Sequence, residues 1–374
     1  MPIQFPDYIE QLKPYVSGKP IEETQREYGV KKVIKLASNE NPLGPSPKAV
    51  AAMKKAMPSL HLYPDASGYH LRNALMKREK VTFDEIILGN GSNEIMELLL
   101  RTFCVPGDLM VASDGVFAAF PISARIQGVD TIFTRMTQDF RFDLDAMLVQ
   151  IKKHDRVKLV ALPNPNNPTG TYVTTSELVP FLKEVEKIRD GSVHVILDYA
   201  YWEFVTAKDL PNPNVLYKQF SNVSVLKTFS KIFGLGGLRV GYGIIHPELS
   251  RMVNKVRMPF NVSSIAQVGA LAALKDDAFI KKTLKVNRDG LKQMAKFYQK
   301  EDIPFLPTQG NFYLINTRSG FGLAGPEAFD RCLRKGLILR PVANYGMPDW
   351  LRVSIGTDEQ NRFAMKVIRG LKIS

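Results

Sequence analysis

Short β-branched apolar runs alternate with longer amphipathic stretches through most of the chain. The runs are EIILG (85–89), LMVAS (109–113), DTIFT (130–134), KLVALPN (158–164), HVILDYA (194–200), VSVLKTF (223–229) and LRVGYGII (238–245). Between them lie segments such as EIMELLLRTFC (94–104), whose apolar residues recur at helical spacing. Strands alternating with helices predict an α/β fold with a mostly parallel sheet covered on both faces. Active sites in such sheets gather at the carboxyl ends of the strands.

The pattern changes near residue 274. LKDDAFIKKTLKVNRDGLKQMAKFYQKE (274–301) predicts one long charged helix, and NFYLINT (311–317), LILRPV (337–342) and WLRVSIG (350–356) predict short strands of α+β character. The first 38 residues are punctuated by proline and end in the strand-like KKVIKLAS (31–38). The expected organisation is an arm over 1–38 that packs with the small domain, a large domain over 39–273, and a smaller C-terminal domain over 274–374.

Composition narrows the function. A chain of 374 residues, 45% of them hydrophobic, is long enough for a large core and a second domain. The net charge of +13 comes from basic residues spread along the chain, and pairs such as those at 31, 54, 152 and 281 never grow into a tract. This reads as a basic surface that draws in small anions rather than a nucleic-acid site. Cys104 and Cys332 sit far apart in apolar contexts with no metal-ligand spacing, and both read as reduced core residues. The N-terminal stretch has no basic segment followed by an apolar one, and no run approaches the ~18 apolar residues of a membrane span. The expectation is a soluble cytoplasmic protein that binds neither membrane nor metal.

The chemistry collects at successive strand ends. EIILG runs into GNGSNE, where Ser92 or Asn93 is placed to cap the following helix and present free amides to an anion. KLVALPN ends in NPNNPTG, where Asn167 either completes a turn or donates to a ligand. HVILDYAY carries Asp198, satisfied by helix amides or aimed at a cation in the cleft, with Tyr201 three residues on. VSVLKTFSK brings Thr228, Ser230 and Lys231 together, and Arg239 follows. A lysine among apolar residues and glycines is costly to bury unless it is paired or its pKa falls, which makes Lys231 a candidate reactive amine.

A pyridoxal phosphate enzyme needs an amine for the aldehyde, an acid against the ring nitrogen, donors to the ring oxygen, an aromatic face and an anion cup. Lys231, Asp198, Asn167 with Tyr201, Phe117, and Ser92, Thr228, Ser230 and Arg239 fill those roles in order. The chain resembles the fold type I pyridoxal-phosphate aminotransferases, and among them the histidinol-phosphate aminotransferase family, over its full length. NPNNPTG, DYAY and TFSKIFGLGGLRVGYG carry the aminotransferase resemblance. LASNENPLGPSP (36–47), LYPDASG (62–68), GNGSNEIMELL (89–99), RMPFNVSSIAQ (257–267) and LRVSIGT (351–357) lean towards the narrower family.

That resemblance implies that Lys231 is the Schiff-base lysine and catalytic acid/base, that Asp198 pairs with the ring nitrogen, and that Asn167 and Tyr201 bind the ring oxygen. It implies a phosphate cup of Gly91, Ser92, Thr228, Ser230 and Arg239, with Asn93 beside it. Tyr63 would reach a phosphate across a homodimer interface. Arg352 would grip the substrate's anionic group, and Tyr15, Asn39 and Arg340 would line the substrate pocket. The substrates implied are histidinol phosphate with 2-oxoglutarate, and glutamate in reverse. Where relatives often read P-T-Y-x-x-Y, this chain has GVFAAF, so Phe117 stacks without a hydroxyl and Phe120 is the second aromatic; Phe260 likewise replaces a tyrosine. Rival readings are an aromatic amino-acid aminotransferase and a phosphothreonine-type decarboxylase on the same fold. A ligand sensor fused to a DNA-binding module is disfavoured, because a 38-residue arm leaves no room for a helix-turn-helix domain.

Overall fold

The computed structural model describes residues 3–15 and 18–372. The seven apolar runs become strands of one sheet: β2 (Ile86–Gly89), β3 (Leu109–Ser113), β4 (Asp130–Thr134), β5 (Val157–Pro163), β6 (His194–Asp198), β7 (Val223–Thr228) and β8 (Gly241–Ile244), after a two-residue β1 (Ile34–Lys35). Their spatial order is β2-β8-β7-β6-β5-β3-β4. The four pairs from β7 to β4 are parallel, whereas β8 runs antiparallel to both β2 and β7. Every residue of β2, β6, β7 and β8 is buried, as expected of strands covered on both faces.

Local signals start the helices. Ser46 caps Pro47–Ala56, accepting from the amide of Ala49, with proline at the first helical position. The long charged stretch folds as Asp277–Lys300, capped by Asp276, which also accepts a 2.6 Å bond from Ser46. Its buried face, Phe279, Thr283, Asn287, Gly290, Met294, Phe297 and Tyr298, recurs at three- and four-residue steps.

The C-terminal strands build a second sheet. β9 (Phe312–Asn316), β11 (Arg340–Pro341) and β12 (Trp350–Ser354) pair antiparallel in the order β11-β12-β9. The single predicted strand LILRPV is divided: β10 (Leu337–Ile338) pairs in parallel with β1, and β11 turns to pair with β12. One hydrophobic cluster surrounds the seven-stranded sheet. Another joins Ile34 and Leu36 to Met294, Phe297, Leu351, Val353 and Ile368.

Beneath the end of β7, Lys227 and Glu79 form an ion pair at 2.7 Å, each side chain only 4% exposed. Tyr242 and Asn214 also donate to Glu79, at 2.6 and 2.8 Å, so the buried carboxylate is saturated with donors. Both cysteines are free thiols; Cys332 is core, whereas Cys104 is only partly buried. Among the described residues, no helix is long and apolar enough to cross a membrane.

Candidate active site

A cavity of about 280 Å³ opens where the carboxyl ends of β5, β6 and β7 meet the segment 37–40 and strands β11 and β12. It gathers side chains from the whole length of the chain. Lys231 follows β7, and its Nζ donates to the carbonyl of Ser38 at 3.1 Å and lies 5.7 Å from the centre of the Tyr201 ring. Burial pulls its pKa down to about 8; Arg352 pushes the same way, while Glu40 and Asp198 oppose. At the end of β6, Asp198 is 8% exposed and its Oδ1 accepts from the amide of Ala200 at 3.0 Å. Burial raises its pKa to about 6, against that amide and Lys231. A carboxylate and an amine thus share one desolvated space, each pushed towards its neutral form.

One end of the cavity is built by one turn and one helix start. Thr228 Oγ1 donates to Ser230 Oγ at 3.0 Å and accepts from the Ser230 amide at 3.1 Å. Arg239 comes back beside them, donating to the carbonyl of Gly236 at 3.0 Å. Opposite lies the first turn of the helix Ser92–Phe103. Its N-cap is Gly91, not Ser92 or Asn93: Ser92 is already helical, and no side chain caps this end. The physical reason is room, because Gly91 has φ of +78° and a Cβ there would collide with the Arg239 guanidinium. The uncapped amides and the positive end of the helix dipole remain available to an anion. Gly234, at φ +68°, packs against the backbone carbonyl of Gly44 and so closes the lysine loop onto the NENPLGP segment.

The remaining residues make the opposite wall. Asn167 is not the turn-maker of NPNNPTG. Asn166 takes that part, donating to Gly115 O and Thr169 Oγ1 at 3.0 Å each, while Asn167 Oδ1 accepts from Arg352. Arg352 also donates to the carbonyl of Ala37 and is 6% exposed. Arg340, equally buried, lies across the Tyr15 ring at 5.5 Å. Asn39 is held twice by Ser354, whose Oγ accepts from its amide at 2.9 Å and donates to its Oδ1 at 2.8 Å. Its Nδ2 donates to Tyr201 Oη at 2.8 Å. Burial raises the Tyr201 phenol to about 12, in spite of Arg352 and Asn39.

Three of the residues singled out in the sequence lie elsewhere. Phe117 lines the cavity, but Phe120 is core, 1% exposed. Tyr63 is 83% exposed and stacks on Phe260 at 4.8 Å, outside the cavity of its own chain. Ser38 and Glu40 line the cavity and have no counterpart among the residues picked from the sequence. Glu40 adjoins Asn39 in the motif LASNENPLGPSP, and its 2.8 Å ion pair with Lys35 only appears once β1 is placed.

Residues 31–368 match the family model of class I and II aminotransferases. The chain belongs to that family. At 44% identity the aminotransferase is similar to the histidinol-phosphate aminotransferases of Anaeromyxobacter sp. (95% of each chain) and Moorella thermoacetica (96% of this chain, 91% of the other). Among solved structures it is similar to the histidinol-phosphate aminotransferase of Sinorhizobium meliloti in complex with pyridoxal-5'-phosphate. The TM-score is 0.87 at 25% identity, over 98% of both chains. An aspartate aminotransferase variant from Thermus thermophilus shares the fold, with TM-score 0.86 at 19% identity over 99% of this chain and 100% of the other.

The cavity fits pyridoxal phosphate on its own chemistry. It offers one amine of lowered pKa, one buried carboxylate with a single hydrogen-bond donor among the described residues, a tyrosine, an aromatic face, and an anion cup whose glycine leaves room for a guanidinium.

Proposed function

We propose that this aminotransferase interconverts histidinol phosphate plus 2-oxoglutarate with imidazole-acetol phosphate plus glutamate, a step of histidine biosynthesis, with pyridoxal 5'-phosphate as cofactor. One observation carries the substrate class. Arg340 and Arg352 are register partners across β11 and β12, both 6% exposed, and both line the cavity beside Lys231. Two buried guanidiniums side by side repel each other and recover that cost only with an anion, a dianionic phosphate best of all.

Lys231, Asp198, Asn167, Tyr201 and Phe117 would hold the cofactor ring, and Gly91, Ser92, Asn93, Thr228, Ser230 and Arg239 its phosphate. When bound, the cofactor supplies the aldehyde that takes the substrate's amine and the ring that withdraws electrons from the α-carbon. Lys231 Nζ, its pKa lowered by burial, would take the proton from the substrate α-carbon and hand it to the cofactor's former aldehyde carbon, and would carry a proton the opposite way in the reverse half-reaction. Asp198 keeps a proton on the ring nitrogen, and that cation in turn offsets the cost of burying the carboxylate. Arg352 orients the anionic group shared by both substrates, the phosphate of one and the α-carboxylate of the other. Arg340, Tyr15 and Asn39 shape the rest of the pocket, with the Tyr15 ring lying over the Arg340 guanidinium.

The same reading makes the enzyme a cytoplasmic homodimer. Leu60, Leu62, Tyr63, Tyr69, Met258 and Phe260 are all exposed, an apolar surface that a second copy would cover, and Tyr63 would then reach the partner's phosphate site. It also divides the chain into an arm (1–38), a large domain (39–273) and a small domain (274–374), a division supported by the largest hydrophobic cluster, which draws all its buried members but Phe312 from 49–274, and by the next, drawn from 34–36 and 294–371. The test is turnover of histidinol phosphate against phenylalanine and tyrosine under identical conditions. Faster turnover of phenylalanine would replace this reading with that of an aromatic aminotransferase.

A further inference from the structure

Behind the substrate pocket, a cavity of about 10 Å³ lies between the long helix Asp277–Lys300, the segment after Asn39 and the start of β9. Asn287 and Asn311 line it, 7% and 2% exposed. The Nδ2 of Asn287 donates to the carbonyl of Gly310 at 3.4 Å, and the Nδ2 of Asn311 donates to the carbonyl of Asn39 at 3.0 Å. These bonds decide the flip of each amide, since rotating either would set oxygen against oxygen. The Oδ1 atoms of both are then buried with no hydrogen-bond partner among the described residues. Thr283, one turn before Asn287 on the same helix face, accepts from Asn41 Nδ2 at 3.2 Å and so keeps its hydroxyl proton to donate.

We propose that one internal water molecule occupies this cavity, donating to Asn287 Oδ1 and Asn311 Oδ1 and accepting from the Thr283 hydroxyl. Three bonds are usual for a buried water, and the volume is that of one water. Phe204 and Ile355 close the site with apolar walls. A metal cation is the wrong occupant, because the lining has no carboxylate and too few oxygens for a shell of about six to eight ligands.

The water is a positioning element. Asn311, fixed by it, holds the carbonyl of Asn39, and Asn39 Nδ2 reaches Tyr201. Asn41 also donates to the carbonyl of Ile232, next to Lys231, at 2.8 Å. The site therefore ties the long helix to both the substrate wall and the lysine loop. This consequence rests on the reading that Asn39 lines the substrate pocket; the water itself does not.

Two experiments decide it. A high-resolution crystal structure of the holoenzyme is expected to show one density peak within hydrogen-bond distance of Asn287 Oδ1 and Asn311 Oδ1. An empty cavity overturns the proposal, as does a peak that gains anomalous signal when potassium is exchanged for rubidium. Asn287→Leu, which removes the acceptor and fills the space, is expected to raise KM for histidinol phosphate about fivefold, the worth of one hydrogen bond. Cofactor affinity is expected to stay at the wild-type level, and Asn287→Ser, which leaves room for the water, to recover most of the loss. A variant with wild-type KM and only a lower melting temperature would reduce Asn287 to a structural residue. Wild-type protein that turns over no histidinol phosphate but shows the peak would sink the proposed substrate and leave the water standing.

Discussion

Arg340 and Arg352 face each other across the β11–β12 pair, and neither has a carboxylate partner among the described residues. Like charges directly opposite on one sheet face are destabilising unless something between them carries the opposite charge. The pair is therefore the anion site we propose, and its two members differ in a testable way. Arg352 touches Asn167 and Ala37 in the centre of the cavity, whereas Arg340 lies out under Tyr15. Arg352→Lys replaces a planar fork with a point charge and should weaken both half-reactions by roughly 1.5 to 3 kcal/mol, or about one to two orders of magnitude in kcat/KM. Arg340→Ala should damage histidinol phosphate more than glutamate; equal losses would show that Arg340 does not read the phosphate.

The lowered pKa of Lys231 has a direct kinetic signature. Burial favours the neutral amine, so the apoenzyme's capture of pyridoxal phosphate should speed up with rising pH and level off above about 8. Below that pH it should fall about tenfold per unit, following the neutral fraction. Stopped-flow absorbance of cofactor binding measures the profile, and a plateau delayed to near pH 10 would mean that the amine is effectively solvated. Borohydride reduction and peptide mapping should put the cofactor on Lys231 and on no other lysine.

The role proposed for Asp198 rests on charge rather than shape, since its only donor among the described residues is the Ala200 amide. Asp198→Asn keeps size and that contact, so the cofactor should stay bound while the half-reaction slows by at least about two orders of magnitude. Single-turnover kinetics with glutamate separates the two effects. A loss of only severalfold would make the carboxylate mainly structural.

Tyr63 lies stacked on Phe260 at the surface of its own chain, and its proposed target belongs to a second subunit. Lys231→Ala and Tyr63→Phe proteins, mixed and refolded into hybrids, should regain activity, because one of the two sites in each hybrid then holds both intact residues. Hybrids no more active than their parents would remove Tyr63 from the site.

The seven strands of the main sheet were legible because each is a short apolar run bounded by turn residues, and all but the edge strand β4 are largely buried. The residues at their carboxyl ends, Asn167, Asp198, Thr228, Ser230 and Lys231, came with them, since position along a strand is a local property. Tertiary structure alone decided which strands are neighbours. β8 reads like its companions yet runs antiparallel between β2 and β7, and LILRPV splits so that Arg340 comes to face Arg352. The hydrogen bonds that make the pocket a pocket are of the same kind: Lys231 to Ser38, Asn39 to Tyr201 and Arg352 to Asn167 join residues more than 160 positions apart. Gly91 displaced Ser92 as the helix cap for the same reason, because the group that needs the space, Arg239, arrives from across the fold. Periodicity reports which face of a segment seeks the core; which partner it meets there is settled only when the whole chain packs.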